Sequence, residues 1–105
     1  MTDREMLEFA AKAAGMRVRQ DGNGGFWINV HIPWNPLTDD GDALRLAVKC
    51  RIEVYEGVGD GPEAWAGYYT VDKRKFCCEP HENDLYAATR RAIVRAAAEI
   101  GKVMP

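Results

Sequence analysis

Apolar residues recur along this chain with two periods, and the switches between the periods predict its elements. Over residues 2–14, Met6, Leu7, Phe9, Ala10, Ala13 and Ala14 share one wide helical face, while Arg4, Glu5, Glu8 and Lys12 take the other. Thr2 followed by Glu5 forms a capping box, and Gly15 is a natural stop. The period then shortens to two. Residues 16–19 predict a short strand, 21–25 a turn rich in Asp-Gly and Asn-Gly, and 26–32 a second strand. Alternation assigns Phe26, Ile28, Val30 and Ile32 to one face, with Trp27, Asn29 and His31 on the other.

Helical spacing returns after Pro36, whose fixed φ bars a helix from running through that point. Thr38 is the expected N-cap, and Asp39, Asp40 and Asp42 bring negative charge to the positive end of the helix dipole. Ala43, Leu44, Leu46, Ala47, Val48 and Cys50 make one broad apolar arc, with Asp42, Arg45 and Lys49 opposite. Residues 51–56 alternate again as a half-exposed strand, 57–62 break it, and 64–71 form an aromatic-rich strand. Lys73, Arg74 and Lys75 read as a solvated basic turn, and 76–78 as a short strand before Pro80. Asn83 is the expected cap of a last helix over 84–100, with Gly101 as its stop. Leu85, Thr89, Ala92, Ile93, Ala96 and Ile100 form its core stripe, and Ala87, Val94 and Ala98 a second apolar patch. Arg91, Arg95 and Glu99 follow one flank, and Arg90 another.

The order α-β-β-α-β-β-α predicts an α+β fold in a single domain, 1–105: a mainly antiparallel four-stranded sheet from two hairpins, with three helices. Composition agrees with a globular chain, at 47% hydrophobic and 29% charged residues. No apolar run approaches the ~20 residues of a membrane span, and the charged N-terminus lacks a signal-peptide core, so the cytoplasm is expected. The net charge of −2 argues against a protein dedicated to coating nucleic acid. That charge is uneven: seven basic against twelve acidic side chains in 1–72, seven against four in 73–105.

The run from Trp34 to Lys49, Trp-Asn-Pro-Leu-Thr-Asp-Asp-Gly-Asp-Ala-Leu-Arg-Leu-Ala-Val-Lys, resembles the signature of the phage ABA-sandwich domain family of small phage and prophage proteins. The run from Ala88 to Ala96 is similar to it as well, and together they cover most of the chain in order. The resemblance implies α/β/α layering, with helices on both sheet faces burying Trp27, Tyr55 and Tyr69, and a phage or prophage origin. It implies no activity, cofactor or catalytic residue.

Chemistry changes this picture little. The Asp39–Asp42 cluster lacks the alternating ligands and distal Glu of a calcium loop, and capping accounts for it. Neither glycine-rich stretch leads into a phosphate-binding helix. Three cysteines make no disulfide framework. Cys77, Cys78 and His81, completed by Cys50 or His31, are the best zinc candidates, but the Cys-x-x-Cys spacing of structural zinc sites is missing. A nucleophilic Cys78 paired with His81 or His31 lacks supporting context, and His31 suits a structural role. No catalytic, cofactor or metal residue is assigned. Trp34 is either a staple to the core or a binding anchor.

The candidate interaction surface is therefore Lys73, Arg74, Lys75, Arg91, Arg95 and Trp34. The leading expectation is a non-enzymatic phage or prophage accessory protein that binds a host or phage protein, with homodimerisation through Ala87, Val94 and Ala98 as another use of that patch. The alternative is a nucleic-acid-binding module using the Lys73–Lys75 turn and the last-helix arginines, with Tyr68 and Tyr69 stacking on bases.

Overall fold

A computed structural model describes residues 1–23, 25–28, 32–56, 63–71, 73–81 and 84–105. Asn29, Val30, His31, residues 57–62 and Asn83, to which the sequence assigns strand, break or cap roles, lie outside the described residues.

Helix α1 spans Asp3–Ala13. Its capping box is complete: Thr2 Oγ1 accepts from the Glu5 amide at 3.1 Å, and Glu5 Oε1 accepts from the Thr2 amide at 2.9 Å. At the other end Gly15 takes φ +68°, the Met16 amide donates to the Ala11 carbonyl and the Gly15 amide to that of Lys12. That bond pair is the Schellman closure which glycine permits.

The chain then forms a two-residue ladder, β1 (Arg19–Gln20) against β2 (Phe26–Trp27). Asp21 holds the turn between them, accepting from the amides of Asn23 and Gly25 and from Trp27 Nε1. β2 is assigned to Phe26–Trp27 only, the Ile28 amide donates to the Ile32 carbonyl, and Ile32 is half exposed. This ladder is its own sheet. The single four-stranded sheet is therefore corrected to two antiparallel sheets, of two and three strands.

Helix α2 covers Asp40–Cys50, and its N-cap is Asp39, one residue beyond the expected Thr38. Asp39 accepts from the Asp42 amide at 2.8 Å. Asp42, expected on the solvated side, is instead 6% exposed. Its carboxylate accepts from the Asn35 amide at 3.0 Å and from Arg45 at 2.7 Å, tying the preceding loop to the first helical turn. Trp34 is 3% exposed and meets Phe26 edge-on at 6.4 Å, so it staples the loop to the core. Burying a side chain of that size contributes about 3 kcal/mol, more than a surface anchor would retain in the free protein.

Strands β3 (Glu53–Glu56), β4 (Glu63–Thr70) and β5 (Lys73–Pro80) form an antiparallel meander in the order β3-β4-β5. Lys73, Arg74 and Lys75, expected as a turn, are the first three residues of β5, with Thr70 opposite Lys73 across a tight connection. Helix α3 runs Leu85–Val103, capped by Asp84 rather than Asn83. It packs on the sheet through β4 and β5, and both α1 and α2 pack on it in turn. Buried on several sides, α3 takes Val94 and Ala98 into the interior, so the proposed second apolar patch is core, not a dimer surface. The helix also continues through Gly101, which is no stop. A Cβ there would stand 1.9 Å from the Phe9 carbonyl oxygen, so glycine provides the notch that lets α1 and α3 meet.

Candidate functional site

Strand pairing sorts the three-stranded sheet into two faces. Ala64, Ala66, Tyr68 and Cys77 are buried on the side that α3 covers. Alternation sends Tyr55, Trp65, Gly67, Tyr69, Arg74, Phe76 and Cys78 to the other side. There Tyr69 remains 55% and Phe76 49% exposed. The α/β/α layering is corrected accordingly: among the described residues the helices cover one sheet face, and an aromatic face stays open opposite.

Gly67 sits at the middle of that open face. Phe76 lies directly across from it, and a Cβ on Gly67 would stand 3.1 Å from the Phe76 ring. A ring laid over a strand glycine covers the backbone that the missing side chain leaves bare. Around Phe76 stand Trp65, edge-on at 6.1 Å, and Tyr55 at 6.4 Å. The Arg74 guanidinium lies 5.0 Å from the Phe76 ring centre and 5.9 Å from those of Tyr55 and Tyr69. It also pairs with Glu53 at 2.9 Å and hydrogen-bonds the Tyr55 hydroxyl. Tyr55 donates to Glu53, and that bond holds its phenol above the ordinary range. Tyr55, Trp65, Arg74 and Phe76 together line an open concavity of about 310 Å³. The indole Nε1–H of Trp65 is enclosed with no acceptor among the described residues.

Comparison with protein-family models, with curated proteins and with solved structures finds no match.

The sequence-derived surface does not assemble as one patch. Arg95 pairs with Glu79 at 3.0 Å and donates to the Cys78 carbonyl. Arg91 pairs with Asp3 at 3.1 Å and Glu79 at 3.4 Å. Both arginines are thus spent on the far end of β5, and Lys73 lies six strand positions away, about 20 Å. Arg90 is likewise committed, to Asp40 at 2.6 Å and to the Leu37 carbonyl at 2.8 Å. Tyr68, expected beside Tyr69, is buried against α3 and its phenol is pushed up to about 12, by burial first and then by the Cys77 thiol. Arg74 alone of the six expected residues belongs to the aromatic cluster.

Adjacent strand positions point the two vicinal cysteines to opposite faces, Cys77 inward and Cys78 outward. Burial raises the Cys77 thiol. His81 lies past the end of β5, 3.0 Å from Glu56. Among the described residues no group of three or more His, Cys, Asp or Glu side chains is placed to hold a metal ion. Sequence reasoning missed Gly67 and the shared face of Tyr55, Trp65 and Phe76. The available signal was a glycine inside an aromatic strand, with Trp65, Gly67 and Tyr69 at every second position.

Proposed function

We propose that this protein is a non-enzymatic binding protein whose open aromatic sheet face docks a protein partner. The observation that carries the reading is the cluster of Tyr55, Trp65, Tyr69, Phe76 and Arg74 on a face that, among the described residues, no helix covers. Tryptophan, tyrosine and arginine dominate the residues whose truncation costs most at protein interfaces, because they withdraw much area from water at little entropic cost. The charge balance points the same way. Arg74 is neutralised by Glu53, and the α3 arginines by Asp3, Glu79 and Asp40, so little free positive charge remains beside the rings. A phage or prophage origin, action in the host cytoplasm and a host or phage protein as partner are parts of the same proposal, resting on the resemblance of the 34–49 and 88–96 runs. Among the described residues no helix is long and apolar enough to cross a membrane.

Capture of partners from nuclease-treated host lysate tests this. The double variant Tyr69→Ser/Phe76→Ser changes two half-exposed rings, so it is expected to fold and to lose the specific partner. Undiminished capture by that variant refutes the reading. One alternative is stacking of single-stranded nucleic acid on the exposed rings of Tyr69 and Phe76. Binding of an oligonucleotide that quenches Trp65 and weakens steeply with salt would promote it.

A further inference from the structure

A second surface lies on the helix side of the sheet, away from the aromatic face. The sequence assigns Leu44, Val48 and Leu85 to the core, yet these three, with Val54 and Tyr86, are 42–71% exposed. Leu44, Val54, Leu85 and Tyr86 line a groove of about 420 Å³ between α2, β3 and the first turn of α3. Val48 follows Leu44 one helical turn on, so α2 carries an apolar ridge along the rim of that groove. Scaled by the surface of each residue type, these exposures amount to roughly 600 Å², the top of the range for the largest apolar patch on a monomer. A standard interface takes about 800 Å² from each partner, which such a patch and its polar rim supply. The charged groups lining the groove are met within the chain: Asp40 by Arg90, and Glu56 by Thr89 and His81. None is left unpaired to recruit a partner of opposite charge.

We propose that this surface is the interface of a two-fold dimer of the chain, in which the Leu44–Val48 ridge of each copy enters the groove of the other. A two-fold interface must be complementary to itself, and here an apolar ridge and an apolar groove lie side by side on one surface. Interfaces between copies of one chain are also the more apolar class, which suits a patch whose bordering charges are already paired. A two-fold axis across α2 runs the two copies of that helix antiparallel, so their dipoles oppose. Val54 lies opposite Ala66, on the side of the sheet that faces the helices, so pairing there leaves the aromatic face of each copy open.

Sedimentation equilibrium of the purified chain, from micromolar to near-millimolar concentration, tests this. A dimer is expected, with a Tm that rises with concentration. Leu44→Lys/Val48→Lys changes two exposed helical positions that accept lysine, and each change counts twice across a two-fold axis. Its far-UV spectrum should be unchanged while the dissociation constant rises at least about a hundredfold. Tyr69→Ser/Phe76→Ser should leave the dimer intact, which separates this interface from the aromatic face. In a mixture of labelled and unlabelled parent protein, isotope-filtered NMR should show contacts between copies from the Leu44 and Val48 methyls to Leu85 and Tyr86. A monomer at every concentration, absence of those contacts, a dimer unchanged by Leu44→Lys/Val48→Lys, or one dispersed by Tyr69→Ser/Phe76→Ser would overturn the proposal. So would a monomer that binds a different protein through Leu44 and Val48, which would assign the groove to another occupant.

Discussion

Replacing Gly101 by alanine tests the packing that holds the whole molecule together. Gly101 is buried within α3, and an added Cβ would lie 1.9 Å from the Phe9 oxygen, 2.8 Å from its carbonyl carbon and 3.2 Å from its Cα. Carbon and oxygen in ordinary contact stand about 3.3–3.6 Å apart, so the helices must separate by about 1.5 Å. The obstacle is backbone, and no rotamer change can relieve it. Overpacking of this kind costs about 1–3 kcal/mol, and more where main chain must move. Alanine in a helix returns about 1 kcal/mol of propensity. Separation also loosens the contacts of Ala10 and Ala97 at the same interface, both of them fully buried. The net expectation is a loss of about 2–3 kcal/mol, or a fall of about 10–20 °C in Tm for a domain of this size. Urea unfolding followed by tryptophan fluorescence measures it, with an unchanged slope marking a true stability change. Gly15→Ala is the control, because that residue has φ +68° but open space around it, and only the backbone cost of about 1 kcal/mol applies. A Gly101→Ala protein as stable as the parent, or more stable by the propensity increment, refutes the close approach of α1 and α3.

Arg51 ends α2 at φ 56°, where the Ile52 amide closes on the Ala47 carbonyl as glycine usually allows; Arg51→Gly should raise stability by about 0.5–1 kcal/mol in the same urea assay. Cys78 is exposed, Cys50 half-buried and Cys77 buried, and burial raises the latter two thiols, so a disulfide reagent at mild alkaline pH should modify Cys78 rapidly, Cys50 more slowly and Cys77 only on unfolding. Tyr68 ionises near 12 in the folded protein against an ordinary value of 10, so its contribution is complete below pH 10 and is lost as pH rises towards 12; Tyr68→Phe should flatten the stability loss over that interval. Asp21 is held below its ordinary value, first by the Trp27 indole and then by the Gly25 and Asn23 amides. Its contribution is present above pH 3.8 and fades below, so the Trp27 indole proton resonance should titrate with a midpoint under that pH.

Interactions that close within a few residues are legible in this sequence. Thr2 and Glu5 begin α1, Gly15 ends it, Pro36 and the aspartates start α2, and alternation marks β3 and β4, because each depends on neighbours that any conformation keeps close. The α+β class follows from those elements alone. Tertiary structure decided the meaning of residues whose partners are remote in the chain. Gly101 has the composition of a stop and the role of a notch, because Phe9 lies against it. Leu44 and Val48 fit an apolar arc, yet among the described residues no element covers that flank of α2; Val94 and Ala98 resemble a free patch, yet α3 is packed from several sides. Arg91 and Arg95 read as free charge until Asp3 and Glu79 come within 3.4 Å. Periodicity shows which side chains share a face, but whether another layer covers that face is settled only by how the elements pack. For this protein that difference separates an aromatic face buried in the core from one that stays open among the described residues.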